Sequence, residues 1–311
     1  MPGLIKHGDL RTLGIQFRAD FLEGLRGKTP STWDRVATRI PMATKTMEFG
    51  ILHDISGMRE WKGDRFVTKL KRSSYSVTAK KFERTIEVDR VDIETDNLGL
   101  YAPRFRTLGQ VGKLLPDQRV WKVLRDNGLC YDGKPFFADD HPEGDDVASN
   151  QDMSGDGPVW YLLDTTKPIK PLVWCVLREP QLDSLDQGND EVVFRRDVVQ
   201  YGLRALGEAG YGLWQLAYRS NQPLNDENFN AAMTEMMKRT TGEPPPDDDP
   251  DGSSEILGVR PNVLVVPSDL RADATSLIEM QIVAGGGSDA AGISNRNFRA
   301  VDVLVEPRLD G

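Results

Sequence analysis

The stretch that decides the fold is YSVTAKKFERTIEVDRVDIETDNLGLYAPRF, residues 75–105, because its apolar period changes partway along. Tyr75-Ser76-Val77-Thr78 alternates as a strand does, and Thr85 to Val91 continues extended, with Ile86 and Val88 on one parity. Asp96-Asn97 supplies helix-start chemistry. Tyr101, Phe105, Leu108, Val111 or Gly112, and Leu115 then recur at helical spacing, which Val120, Trp121 and Leu124 resume. Residues 98–126 are predicted as a rod of about 43 Å at roughly 1.5 Å per residue. Pro116 should kink or interrupt it, since it cannot donate and crowds the preceding turn.

Upstream, from Met58 to Arg84, the composition turns basic. Arg59, Lys62, Arg65, Lys69, Lys71, Arg72, Lys80, Lys81 and Arg84 face only Glu60, Asp64 and Glu83, nine positive charges minus three negative, or +6, in a chain of net charge −9. Alternation in Phe66-Val67-Thr68-Lys69-Leu70-Lys71 and again in Tyr75 to Thr78 predicts a hairpin turning near Arg72 to Ser74. A two-stranded ribbon with few large apolar residues is marginal in water, so something else must hold it. Further upstream, Leu10, Leu13, Phe17, Phe21 and Leu25 define one face of an amphipathic helix, with Asp9 expected as its N-cap and Gly27 near its end. That face is either core or a docking arm.

Downstream, residues 139–156 carry seven acidic side chains and no Lys or Arg. Strands are predicted around Leu172-Val173-Trp174, at NVLVVP (262–267) and at Val301 to Val305. Helices are predicted over Asn225 to Arg239 and from Ser268 to about Ile278. No internal repeat and no βαβ alternation is present, so the class is α+β.

Composition narrows the function classes. With 48 acidic against 39 basic residues, the surface as a whole does not seek phosphate. Two cysteines, Cys130 and Cys175, form no C-x-x-C pair and fit a reducing compartment. The start MPGLIKHGDLRTLG has no continuous apolar segment and no window approaches 18 apolar residues, which predicts a chain made in the cytoplasm. ADDHP (138–142) has only three histidines in the chain to draw on, His7, His53 and His141, and reads as a solvated loop. PPPDDDPDG (244–252) lacks the EF-hand spacing and AGGGSDAAG (284–292) lacks the G-K-[ST] ending of a phosphate loop. No catalytic, cofactor or metal residue is nominated. The basic hairpin has a second reading, as a nucleic-acid binder with Tyr75 and Phe82 among its charges.

EFGILHDISGMREWKGDR (48–65), the 75–105 string, CYDGKPFFADDHP (130–142), AGYGLWQLAYRS (209–220) and PNVLVVPSDLRADA (261–274) resemble, in order, the major head subunit family of phage Mu and Mu-like prophages. The resemblance implies the Hong Kong 97-type capsid fold. Its parts would be an N-terminal arm over 1–47, an extended E-loop hairpin over 48–86, a peripheral domain over 87–159 with its spine helix at 98–126, an axial domain over 160–290, and a return strand to the peripheral domain over 291–311. It implies a non-enzymatic shell protein of the virion, forming hexamers and pentamers around double-stranded DNA without reading its sequence. Scaffold, portal and maturation protease would be encoded separately, with a decoration protein as a further partner. Arg59, Lys62, Arg65, Lys69, Lys71, Arg72, Lys80 and Lys81 become the expected intersubunit contacts of the E-loop, and Leu10, Leu13, Phe17 and Phe21 the docking face of the arm. Some members of the fold superfamily cross-link a lysine to an asparagine, but nothing in the sequence names the partner. Two alternatives stand beside this reading: a cargo-loading nanocompartment shell of the same fold, and a cytosolic hydrolase using the acidic loops.

Overall fold

The computed structural model describes residues 7–49, 75–94, 100–143, 146–240, 256–284 and 292–310. In chain order, helix α1 (His7–Arg26) and the single turn α2 (Trp33–Val36) lead into β1 (Ala37–Pro41) and β2 (Thr46–Glu48). Then come β3 (Ser76–Thr78), the long β4 (Lys80–Asp89), α3 (Arg90–Glu94), α4 (Tyr101–Lys113) and α5 (Leu115–Asp126). Short strands β5 (His141–Glu143), β6 (Asp146–Ala148) and β7 (Gln151–Asp152) precede β8 (Trp160–Leu163) and the long β9 (Leu172–Leu185). After α6 (Glu191–Arg196) the chain returns as β10 (Val198–Tyr211), then β11 (Ala217–Ser220), α7 (Asp226–Met237) and β12 (Val263–Val266). It closes with α8 (Arg271–Ala274), β13 (Ile282–Ala284), β14 (Gly292–Ser294) and β15 (Asp302–Val305).

Two sheets organise these elements. The first runs β1-β9-β10-β4, with β10 antiparallel to both neighbours and β1 parallel to β9. The second runs β15-β12-β8-β11-β7. Every residue of β8 and β12 is buried, as their continuous apolar runs predict. Their alternation sorts the side chains by face. Tyr161, Leu163, Val263 and Val265 pack with Val120, Trp121 and Leu124 of α5. Trp160, Leu162, Leu264 and Val266 pack with Phe229 and Met236 of α7 and with Ala274 and Ile278. One sheet thus has a core on each face, and the core on the α5 side also takes in Leu172, Trp174, Ala209 and Tyr211 of the first sheet.

The interruption expected at Pro116 is present: over 101–126 the rod is two helices meeting at Leu114, two residues ahead of Pro116, which sits in the first turn of α5 where its missing N–H costs nothing. Hydrogen bonding still crosses the joint, from Leu114 N to Gln110 O and from Gln118 N to Leu114 O. Asp9 lies inside α1, which already includes His7, so it is not the cap. Ser76–Thr78 pairs with Thr46–Glu48, whereas the expected partner Phe66–Lys71 and the turn at Arg72–Ser74 lie outside the described residues. The β9–β10 hairpin pairs with β1 and β4, while β15 runs parallel to β12 and completes the second sheet.

Candidate assembly surfaces

The hairpin that was expected to lack support is anchored at its base. Phe49 and Tyr75, the last and first described residues on either side of it, bring their rings to 5.7 Å, and Phe49 N donates to Tyr75 O at 2.9 Å. Beneath them Met42, Phe49, Val77 and Ala79 pack on Val173 and Cys175 of the first sheet. The Tyr75 phenol accepts the amide of Tyr211 at 2.7 Å, and burial pushes its pKa upward despite that bond. The ribbon's foot therefore rests on its own subunit. Arg59, Lys62, Arg65, Lys69, Lys71 and Arg72 lie outside the described residues.

Lys80 and Lys81 are placed, on β4 and exposed. Lys80 forms an ion pair within the subunit, its Nζ 2.8 Å from Glu208 on β10. Glu208 also receives a two-pronged contact from Arg119 of α5, Nε and Nη2 each at 2.8 Å. Burial opposes the charge on Glu208, but the hydrogen bonds from Arg119 and Lys80 outweigh it and hold the carboxyl below its ordinary value. The Arg119 guanidinium lies over the Phe82 ring, 5.3 Å from its centroid. One carboxylate so ties the strand leaving the hairpin to the sheet and to α5.

The N-terminal helix packs along its own subunit. Phe17 stacks on Phe105 of its own α4 at 4.3 Å and meets Tyr201 edge-on at 5.8 Å, and Phe21 packs with Leu108 and Leu203. Along this face α1 and α4 approach to backbone contact. A Cβ on Gly24 would lie 2.0 Å from Arg106 O, and one on Gly109 would lie 2.1 Å from Phe21 O. Arg106 reaches across to Asp20 at 3.0 Å and Glu23 at 3.1 Å. Leu10 and Leu13 belong to α1, but their side chains lie outside the described residues.

Beyond α1 the linker is stitched to the start of α5. Asp117, fully buried, accepts from Ser31 Oγ at 2.7 Å, Thr32 N at 2.7 Å and Trp33 N at 3.1 Å. Thr32 Oγ1 donates to Glu306 near the C-terminus at 2.7 Å and accepts from Trp121 Nε1 at 3.1 Å. Neither Asp117 nor Glu208 stands out in sequence, since each is an ordinary acid until its distant partners arrive. Gly24 and Gly109 carry a faint signal, glycines within helical periods, but nothing in sequence pairs them.

The acidic loop at 244–252 lies outside the described residues, and the acidic stretch 139–156 is described except at 144–145. Asp140 is paired to Lys134, whose hydrogen bond lowers its carboxyl pKa. His141 is fully buried, Nδ1 2.6 Å from Asp132 Oδ2, with its ring stacked on Trp214 at 4.1 Å. Among the described residues no group of three or more His, Cys, Asp or Glu is placed to hold a metal ion. Burial pushes both thiols, Cys130 and Cys175, up to about 12. No helix among the described residues is long and apolar enough to cross a membrane.

Comparison with known proteins accounts for these parts together. Residues 10–309 match the family described as Mu-like prophage major head subunit gpT. The chain is 34% identical over 299 residues to the Mu-like prophage FluMu major head subunit of Haemophilus influenzae, covering 92% of each chain. It is 30% identical over 318 residues to the major capsid protein of Escherichia phage Mu, covering 98% of this chain and 100% of that one. In structure it is similar to the subunit in the procapsid of bacteriophage JBD30, with a TM-score of 0.81, 34% identity and coverage of 98% and 100%. The fold is the Hong Kong 97-type α+β fold of phage capsid subunits. With the match running almost end to end, the chain belongs to the Mu-like major head subunit family, and it is a major capsid protein that builds the virion shell.

Proposed function

We propose that this subunit closes into hexamers and pentamers by laying its basic hairpin across the neighbouring copy, and that it works as a structural protein without catalysis. The observation that carries this reading is the anchored foot of the hairpin. Both limbs are plugged into the core at Phe49 and Tyr75, while the 50–74 segment between them holds Arg59, Lys62, Arg65, Lys69, Lys71 and Arg72 against Asp54, Glu60 and Asp64, six minus three or +3. A rigid foot with a basic reach suits a heterologous contact that repeats around a ring. The recipient we nominate is residues 179–191, at the far end of the β9–β10 hairpin, a stretch with Glu179, Asp183, Asp186, Asp190 and Glu191 and no Lys or Arg of its own, although Arg39, Arg204 and Arg195 pair with Glu179, Asp183 and Glu191 within the subunit. Charge complementarity there would set register and encounter rate more than net affinity.

In this reading the first sheet with α4 and α5 is the peripheral domain. The second sheet with α7 and α8 is the axial domain. Scaffold, portal and maturation protease are separate proteins, a decoration protein is a further partner, and the net charge of −9 suits enclosing double-stranded DNA without gripping it. Changing Lys69, Lys71 and Arg72 together to Glu should leave a folded monomer and no shells. Normal particles from that variant in electron micrographs would dispose of the hairpin's role. Recovery of shells on reversing Asp186, Asp190 and Glu191 to Lys in the same chain would identify the recipient.

A further inference from the structure

Between residues 79 and 80 the chain changes partners. The β4–β10 ladder ends at Lys80, opposite Gly207. One residue back, Ala79 N donates to Lys45 O at 2.8 Å, and Ser76–Thr78 pairs with Thr46–Glu48 instead of with β10. The limb of the hairpin thus leaves the first sheet within a single residue. Past that point, among the described residues, β10 pairs on its β9 side alone, Glu208 to Tyr211 running beside Leu172 to Cys175. Side chains take two of its amides there: Ala209 N donates to Glu208 Oε1 at 3.0 Å, and Tyr211 N to the Tyr75 phenol at 2.7 Å. The departing limb rests on β10 at Gly210, where a Cβ would lie 2.5 Å from Val77 Cγ2 and 2.8 Å from the Tyr75 phenol oxygen. Two residues from that contact point the buried Glu208 carboxylate holds Lys80 at the end of the ladder and Arg119 of α5. Arg119 also covers the Phe82 ring on the same limb. A point of close contact with a tie beside it is the geometry of a lever.

We propose that Glu208 is a positioning residue that sets the angle at which the hairpin leaves the subunit, and that Arg119 refers that angle to α5. The two cations have different tasks. The guanidinium meets the carboxylate with two parallel bonds, which fixes direction as well as distance, whereas the ammonium of Lys80 is a point charge that follows. The Arg119–Glu208 fork therefore defines where the carboxylate stands, and Lys80 draws the limb to it. Either cation can be removed and the carboxylate still keeps a partner, so the fold survives while the angle loses its reference. The consequence for the shell rests on the capsomer reading above: a tilt at the foot is multiplied along the hairpin, and a spread of angles becomes a spread of curvatures. The angle itself belongs to the single subunit and does not need that reading.

The test is the distance between spin labels at Ser76→Cys on the limb and Thr85→Cys on β4, measured by pulsed electron spin resonance on the unassembled full chain. Both positions are exposed and the native thiols are buried. The labelled parent should give one narrow distribution. Arg119→Gln should widen it at least twofold, and Arg119→Lys, which keeps the charge and loses the fork, should fall between. Lys80→Gln, altering an exposed side chain, should widen it as Arg119→Gln does and guards against a folding defect in the helix variants. An unaltered width in Arg119→Gln and Lys80→Gln would overturn the pivot. Particles of Arg119→Gln should then show at least two diameter classes in electron micrographs where the parent shows one. Uniform parental diameters from a chain whose distribution has widened would count against the capsomer reading and not against the pivot, so the two failures are distinguishable.

Discussion

The α1–α4 crossing and the β13–β14 ribbon both lie outside the two sheets, and they handle apolar surface in opposite ways. At the crossing, two helices are pressed together until only glycine fits, with Phe17, Phe105 and Tyr201 closing one side. At the ribbon, isoleucines project from both faces into solvent. The contrast separates apolar surface that the subunit covers by itself from apolar surface that it leaves exposed. A helix packed to backbone contact is complete as a monomer. A ribbon with an exposed isoleucine on each face keeps apolar surface that its own fold does not cover.

The sharpest way to break this comparison is at Phe105, which is fully buried between Phe17 and Tyr201. Phe105→Ala should cost about 4 kcal/mol in chemical denaturation of the monomer; a cost below about 1 kcal/mol would mean that the arm is not part of the subunit's core. Gly109→Ala comes next, at about 3 kcal/mol, because the new methyl must push α1 away from α4. Limited proteolysis should then release α1 before the sheets open, and resistance equal to the parent would refute the close approach.

A smaller effect tests the link between hairpin and core. Glu208→Gln should lose about 2 kcal/mol at neutral pH, the scale of hydrogen bonds to a charged group. The carboxyl of Glu208 titrates below its ordinary value of 4.5 in the folded state. Its ionisation therefore contributes stability above that value, and the contribution fades as pH falls through the lower, folded value. Denaturation measured from pH 7 down to pH 3 should show parent and variant converging; a constant gap would place the stabilisation elsewhere. The smallest effect belongs to the ribbon. Ile282→Ser should change monomer stability by no more than about 0.5 kcal/mol, and a larger loss in thermal unfolding would mean that Ile282 serves its own fold.

Legibility in the sequence follows the same division. Elements with a dense local period were readable: α1 from Phe17 and Phe21, α5 from Val120, Trp121 and Leu124, and β12 from NVLVVP. Asn225 caps α7 through the amide of Asn228 at 2.9 Å, close to the predicted start. Long-range pairings were not readable. Nothing local in Ser76–Thr78 chooses Thr46–Glu48, some 30 residues back, over the equally alternating 66–71 segment. The same holds for β15, whose place beside β12 depends on which edge the rest of the sheet leaves open. Of the expected contact residues, Lys80 shows the limit most plainly, because its charge was visible in sequence but its buried partner Glu208 was 128 positions away. The resemblance to a family supplied what periodicity could not, the order in which the parts are used.

Asp117 has a mechanical consequence. It gathers the linker after α1, the first turn of α5 and, through Thr32, the segment around Glu306 into a single polar joint. A pull on the arm would be loaded in shear across several short hydrogen bonds at once, and would be delivered to the end of a helix, its stiffest direction. The strands behind it would not be peeled apart one bond at a time. A shell tile tugged by its neighbours gains from having its tether fastened at such a point.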